Sequence, residues 1–173
     1  MAPRTAVVVG NPKHGSRTLA AAVHVVEELT GAAPGLVVDL GTVGAPLLDW
    51  GSTEVSALVE QVGSADLVVV ASPTYKATYT GLLKLFLDRF AGGTGLRGVA
   101  VPLMLGAGPA HALAAELHLR PLLVELGAIV PTRSLFVLDH EHDQPTAYAD
   151  WLDAARPALA ALLGARTPAG ARP

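Results

Sequence analysis

The segment GNPKHGSRT, residues 10–18, carries residue types that proteins use to bind phosphate, and we call it loop A. Gly10 and Gly15 have the spacing of a nucleotide-binding P-loop, in which Lys and then Ser or Thr follow the second glycine. Ser16 and Arg17 occupy those two places, so loop A is not suited to a nucleoside triphosphate and its magnesium. Because N–H groups at a helix start attract anions, we predict a site for one terminal phosphate, with an ordinary capped turn as the alternative. The side chains that could contribute are Lys13, Ser16, Arg17 and Thr18.

A second polar segment, SPTYKATYTG at residues 72–81, is called loop B. Its Pro73 fixes the backbone as the chain leaves a predicted strand, and the N–H groups of residues 74–77 could then face the edge of a flat heteroaromatic ring. Tyr75 and Tyr79 could stack on such a ring, and Lys76 could stabilise an electron-rich one. The alternative is a helix entry that bears surface tyrosines.

Two further segments contain glycine or histidine. LGAGPAH, residues 105–111 and here called loop C, has glycines that allow a close backbone approach, although a plain turn explains it equally well. DHEHD, residues 139–143, has the residue types of a metal site, but a solvated loop is the preferred interpretation and we predict no metal site. The chain has no G-x-S-x-G segment, no H-E-x-x-H segment and no carboxylate pair in loops A to C, which suits a cofactor that does its own chemistry.

Composition limits the remaining possibilities. A chain of 173 residues with 51% hydrophobic residues can bury one core, and no apolar run reaches the ~18 residues of a membrane helix. A net charge of −3 offers no basic surface for nucleic acid, and the lack of cysteine excludes disulfides and thiolate chemistry. Since the first strand begins within five residues, we expect no signal peptide and a cytoplasmic location.

Strand and helix patterns alternate from end to end, which predicts an α/β fold with a parallel sheet and helices on both faces. The predicted strands are 5–9, 35–41, 66–73, 98–106 and 133–139, and the predicted helices are 17–29, 52–62, 81–90, 109–127 and 146–163. We predict one domain over residues 1–163 and a disordered tail over 164–173. In the flavodoxin-like order 2-1-3-4-5, loops A and B would follow the two strands at the switch point, where ligands bind.

With these loops, the chain resembles the NADPH-dependent FMN reductase family of flavodoxin-like proteins, and within it the reductase partners of two-component alkanesulfonate monooxygenases. The matching segments are loop A, residues 71–90 and residues 106–128, and the resemblance covers roughly residues 5–160. It implies FMN as the cofactor and NADPH or NADH as the hydride donor, with the flavin N5 rather than a side chain carrying the chemistry. The implied FMN-binding residues are Lys13, Ser16, Arg17 and Thr18 at the phosphate, Pro73, Thr74, Tyr75 and Lys76 at the isoalloxazine, and Gly106, Ala107 and His111 on the far side.

The resemblance favours a flavin reductase that supplies reduced FMN to a monooxygenase and forms a homodimer or homotetramer. Family members that release flavin often carry an inserted aromatic residue or histidine that bulges the helix after the fourth strand. That position is Leu117 here, with His118 beside it, which leaves open a protein that retains its FMN. The alternatives are an NAD(P)H:quinone or azo reductase with bound FMN, a flavodoxin-type electron carrier, and a flavin-binding regulator.

Overall fold

The computed structural model describes residues 2–166, with only the backbone described at residues 165 and 166. Its five strands pair in parallel in the order β2-β1-β3-β4-β5, so the predicted flavodoxin-like topology is confirmed. The strands are β1 (Thr5–Val9), β2 (Leu36–Asp39), β3 (Leu67–Pro73), β4 (Val99–Gly106) and β5 (Leu135–Leu138). Every residue of β1, β3 and β4 is buried, because helices cover both faces of the sheet and both faces are apolar.

Two layers of helices cover the sheet. The α-helices are α1 (Arg17–Thr30), α2 (Leu40–Val43), α3 (Thr53–Gly63), α4 (Gly81–Leu87), α5 (Arg120–Glu125) and α6 (Thr146–Arg166). α1 and α6 share one core with one face of the sheet, and α2 to α5 share a second core with the opposite face. Among residues 2–166, a helix with the length and apolar character to cross a membrane is not found.

Pro102 lies inside the fully buried strand β4, a place where a proline normally removes a ladder hydrogen bond. The N–H of Ala100 donates to the Ile129 carbonyl on the β5 side, and Pro102, two residues later, faces the same side. The β5 ladder begins only at the pair Leu103 and Leu135. Pro102 therefore occupies a gap in the pairing, and the strand tolerates it.

The single helix predicted over residues 109–127 is wrong. The structure has a 3₁₀ turn at Pro109–His111, a π-helical turn at Ala115–Leu119 and only then α5. The physical reason is Pro121, which has no N–H for the Leu117 carbonyl and whose ring clashes with that carbonyl in a regular α-helix. The chain widens instead, and the N–H of Arg120 bonds to the carbonyl of Ala115, five residues back.

The carboxyl end of the chain departs from the prediction by a small amount. α6 continues to Arg166, three residues past the predicted domain boundary at 163, in spite of Pro157 in its interior. Residues 167–173, which form most of the predicted tail, lie outside the described residues.

Candidate functional site

Loops A and B leave the sheet from neighbouring strands. Val9 of β1 pairs with Ala71 of β3, and the N–H of Gly10 donates to the Ala71 carbonyl at 2.8 Å. Loop A then leads into α1 on one face of the sheet, whereas loop B leads into α4 on the other. Ligands of doubly wound sheets bind where the chain diverges in this way, and we call this place between loops A and B the crevice.

Asn11 organises the interior of loop A. This residue is 8% exposed; its Oδ1 accepts the N–H of Lys13 at 2.9 Å, and its Nδ2 donates to Oγ1 of Thr18 at 3.1 Å. The first bond forms a turn of the kind that Asn favours, and the second ties the loop to the first turn of α1. Sequence reasoning missed Asn11, although an Asn that follows a strand-ending glycine is a usable turn signal.

The start of α1 presents the predicted anion-binding groups. Ser16 caps the helix, because its Oγ accepts the N–H of Leu19 at 3.3 Å. The N–H groups of Arg17 and Thr18 belong to the first turn and therefore have no acceptor within the helix. The Arg17 side chain is exposed, whereas that of Thr18 is 1% exposed and directed at Asn11. Thr18 thus contributes its backbone N–H to the anion-binding groups of the helix start, while its side chain positions the loop.

The end of β2 supports loop A from the other side, which sequence reasoning also missed. Oδ2 of Asp39 accepts the N–H of Gly15 at 2.9 Å, and its Oδ1 accepts the N–H of Gly41 at 3.3 Å. Gly15 has φ of +60°, a conformation that glycine adopts without strain. Gly41 approaches so closely that an added Cβ would lie 2.8 Å from the Asn11 carbonyl oxygen. The backbone of loop A is therefore fixed on two sides.

Loop B folds into a tight turn that uses two of the N–H groups predicted to face a ring. Tyr75 and Thr78 exchange backbone hydrogen bonds at 2.9 and 3.3 Å, and the N–H of Thr74 donates to the Leu105 carbonyl at 2.7 Å. The two central residues, Lys76 and Ala77, have φ of 52° and 69°, as in a type I′ turn. Four N–H groups, those of residues 74–77, were predicted to face a ring. Within residues 2–166, only the two of Lys76 and Ala77 have no hydrogen bond.

The side chains of loop B divide between surface and core. Tyr75 is 51% exposed and Lys76 is also exposed, so both are accessible to a ligand. Tyr79 is half-buried and packs against the core between the sheet and α4. Of the two tyrosines, the structure therefore leaves Tyr75 as the accessible aromatic surface for a flat ring.

The end of β4 meets loop B at Thr74. An added Cβ on Gly106 would lie 2.6 Å from Cζ of Phe136 and 3.5 Å from Oγ1 of Thr74, so a larger residue there would require the Phe136 ring to shift. The Thr74 hydroxyl is buried and has no hydrogen-bond partner within the described residues. An unsatisfied buried hydroxyl is costly unless a ligand or a rearranged neighbour pairs with it, which marks this corner as a polar edge of the crevice.

The π-helical turn after β4 also contacts loop B. Nδ1 of His118 lies 2.9 Å from Oγ1 of Thr78, which joins the turn at Ala115–Leu119 to the tight turn of loop B. Glu116 holds the same segment by accepting the N–H of Ser134 at 2.7 Å and pairing with Arg120 at 3.0 Å. Burial alone would raise the pKa of the Glu116 carboxyl, but these two partners outweigh burial and lower it.

The remaining candidates lie apart from this network. Ala107 and His111 of loop C are exposed, and His111 makes no hydrogen bond or ion pair within the described part of the chain. In the segment of residues 139–143, His140 lies beside Glu141 and His142 beside Asp143, and the His142 carbonyl accepts the Tyr148 hydroxyl at 2.6 Å. No group of three or more His, Asp or Glu side chains among residues 2–166 could hold a metal ion.

The sheet order and the crevice between loops A and B define a flavodoxin-like protein. Its structure superposes on that of an NADH:FMN oxidoreductase, EMOB in its apo form, with a TM-score of 0.78 and 27% identity over 96% of this chain and 91% of that one. Residues 3–143 match the family model described as NADPH-dependent FMN reductase. The chain therefore belongs to the NADPH-dependent FMN reductase family, as its loops had predicted.

Two relatives support this assignment. The chain is 29% identical to an FMN reductase (NADPH) of Pseudomonas aeruginosa, over 81% of this chain and 79% of that one. It is 31% identical to the NADH-dependent FMN reductase SfnF of Pseudomonas putida, over 82% of this chain and 80% of that one. The family is therefore one of oxidoreductases that use FMN with a nicotinamide donor.

Proposed function

We propose that this protein reduces FMN with NAD(P)H and supplies the reduced flavin to a monooxygenase. The observation that carries the proposal is the placement of an anion-binding helix start and a tight turn with accessible N–H groups at one crevice. FMN has a phosphate at one end and a heteroaromatic ring at the other, and these two features match its two ends. When bound, FMN would accept hydride from the nicotinamide, a chemistry that the flavin itself provides.

The residues of this chain would bind and orient the flavin. Arg17 and Lys13 are exposed cations beside the helix start and would pair with the phosphate, to which Ser16 can still donate its hydroxyl hydrogen. Tyr75 would cover one side of the ring, and the N–H groups of Lys76 and residue 77 would meet its polar edge. Gly106 and Ala107 would close the far side, and the buried Thr74 hydroxyl would gain a partner there.

The π-helical turn supports FMN as a dissociable substrate. The family feature tied to flavin release is a bulge in the helix after the fourth strand, and Ala115–Leu119 forms such a bulge although Leu117 is neither aromatic nor histidine. Through His118 the bulge touches Thr78 of loop B. A flavin that must pass to a second enzyme has to leave, and the contact of the bulge with loop B supports a part for the bulge in that release.

Exposed apolar side chains support a homodimer or homotetramer. Leu85 on α4 is 39% exposed, Leu117 is 62% exposed and Val124 on α5 is 52% exposed. These three lie in segments that cover one face of the sheet, and a second copy could bury them together. Light scattering on the purified protein measures the mass and tests this state; a monomer would contradict it. The cytoplasmic location likewise stays a prediction.

A titration of FMN tests the proposed function. Purified protein should oxidise NADPH or NADH only when FMN is added, and the rate should saturate with FMN. Full activity without added FMN would favour the quinone or azo reductase with retained flavin. No nicotinamide oxidation at any FMN concentration would favour an electron carrier or a flavin-binding regulator. The donor is compared in the same assay, because the relatives are named for both NADPH and NADH.

A further inference from the structure

Thr80, a residue of loop B to which sequence reasoning assigned no role, joins the two loops of the crevice. Its Oγ1 donates to the carbonyl oxygen of Gly10 at 2.5 Å, across seventy positions of sequence, and accepts the N–H of Leu83 at 3.1 Å. Its own N–H donates to Oγ of Ser72 at 3.0 Å, and Ser72 in turn donates to the carbonyl of Pro73 at 2.8 Å. One hydroxyl thus bonds the last turn of loop B to the first residue of loop A.

The surroundings leave little room for a substitute donor. Thr80 is 4% exposed and Ser72 is fully buried. A Cβ on Gly10 would lie 2.3 Å from Cβ of Leu83, so the start of loop A and the first turn of α4 are in contact. Without the Thr80 hydroxyl, the Gly10 carbonyl would be buried beside apolar atoms, and a buried polar group without a partner is costly.

We infer that Thr80 is a positioning residue that sets the distance between the phosphate end and the ring end of the flavin site. This inference rests on the proposed function, because it concerns how FMN engages loops A and B together. FMN joins its two ends covalently, so once the ring is bound the phosphate meets loop A at a high effective concentration, provided that the spacing matches. A shift of loop A relative to loop B removes that advantage.

The ratio of riboflavin to FMN dissociation constants is the measurement that tests Thr80. Riboflavin lacks the phosphate and needs only the ring site, so the ratio reports how well the phosphate is reached once the ring is bound. Both constants are obtained by titration of flavin fluorescence. We expect Thr80→Val, which keeps the shape but removes the hydroxyl, to lower this ratio about tenfold. Thr80→Ser retains the hydroxyl and should keep the ratio within about twofold of the wild-type value.

A matched control separates positioning from helix capping, because Thr80 also caps α4. Ser52 caps α3 in the same way, with its Oγ accepting the N–H of Val55 at 3.3 Å, and it takes no part in loops A or B. Ser52→Ala should lower stability to a similar extent as the loss of the α4 cap and leave the ratio unchanged. A lowered ratio in Ser52→Ala would mean that general destabilisation moves it, and would overturn the inference.

Ser72→Ala is the second variant and decides the matter if Thr80→Val does not fold. It removes the acceptor that holds the Thr80 backbone, and we expect the ratio to fall about threefold. If the ratio is unchanged in Ser72→Ala and in any folded Thr80→Val, the inference is overturned and the proposed function stands. Wild-type protein that binds no FMN overturns the proposed function and the inference together.

Discussion

Loop A has glycine where its backbone takes a positive φ, whereas loop B has lysine and alanine in that conformation. Gly15 has φ of 60°, and no heavy atom lies within 4 Å of the Cβ that it lacks. Lys76 and Ala77 have φ of 52° and 69°, and each such residue costs roughly 1–2 kcal/mol relative to a right-handed conformation. Loop A is therefore relaxed, and loop B stores strain.

The two loops also differ in the contacts that hold them in place. Loop A contains the buried side chain of Asn11 and is held from β2 by Asp39. The tip of loop B is exposed from Tyr75 to residue 77 and is held mainly by hydrogen bonds of its backbone to Leu105 and Thr78. Strained segments concentrate where ligands bind and need neighbours that impose the strain. In the proposed flavin site, the phosphate half is therefore preformed, whereas the conformation of the ring half must be imposed by its neighbours.

The largest expected effect comes from Gly10→Ala, which attacks the contact between loop A and α4. The new Cβ would overlap Cβ of Leu83, and we expect the free energy of unfolding to fall by about 3 kcal/mol. Urea denaturation measures this loss. Gly81→Ala is the control, since no atom lies within 4 Å of its added Cβ, and it should be as stable as wild type or more so. Equal stability of both variants would show that loop A moves away at no cost.

Arg17→Ala tests whether loop A is the phosphate half of the comparison. The Arg17 side chain is exposed and has no carboxylate partner within residues 2–166, so it can pair with a ligand. We expect FMN binding to weaken by about 1.5–3 kcal/mol and riboflavin binding to stay unchanged. Isothermal titration calorimetry with both flavins measures this difference. Unchanged FMN affinity would assign the phosphate to another cation, such as Lys13.

Periodicity and local motifs in the sequence predicted where loops A and B lie in the fold. Alternating strands and helices placed loops A and B at the switch point, and Ser16 was expected beside the N–H groups of a helix start, where the structure has it. The support from Asp39 and Thr80 could not be predicted, because each acts on a loop distant in sequence. The π-helical turn was not predicted from periodicity for another reason: the apolar pattern continues through it, and within that pattern only Pro121 signals that the regular ladder must break.

The strain in loop B can be tested by exchanging residue types between the two loops. Ala77→Gly relieves the positive φ at one residue and should raise the free energy of unfolding by about 0.5–1 kcal/mol. Gly15→Ala introduces the same strain into loop A and should lower the free energy of unfolding by about 1 kcal/mol. Thermal and urea denaturation of the two variants give these values. A loss of stability in Ala77→Gly would mean that loop B is not strained and would remove the contrast.

The smallest effect concerns pH, which should act on the π-helical turn beside loop B rather than on loop A. Glu116 holds the π-helical turn, and its partners Ser134 and Arg120 lower the pKa of its carboxyl below the ordinary value of 4.5. A lowered folded-state pKa gives stability that is present above the unfolded-state value and is lost as the pH falls through the folded-state value. Since the side chain is 35% exposed, we expect this contribution to stay below about 1 kcal/mol.

Urea denaturation from about pH 7 to about pH 3 should show a shallower loss of stability for Glu116→Gln than for wild type. Parallel curves for the two proteins would mean that the carboxylate does not hold the turn, and the support of loop B would then rest on the contact between His118 and Thr78.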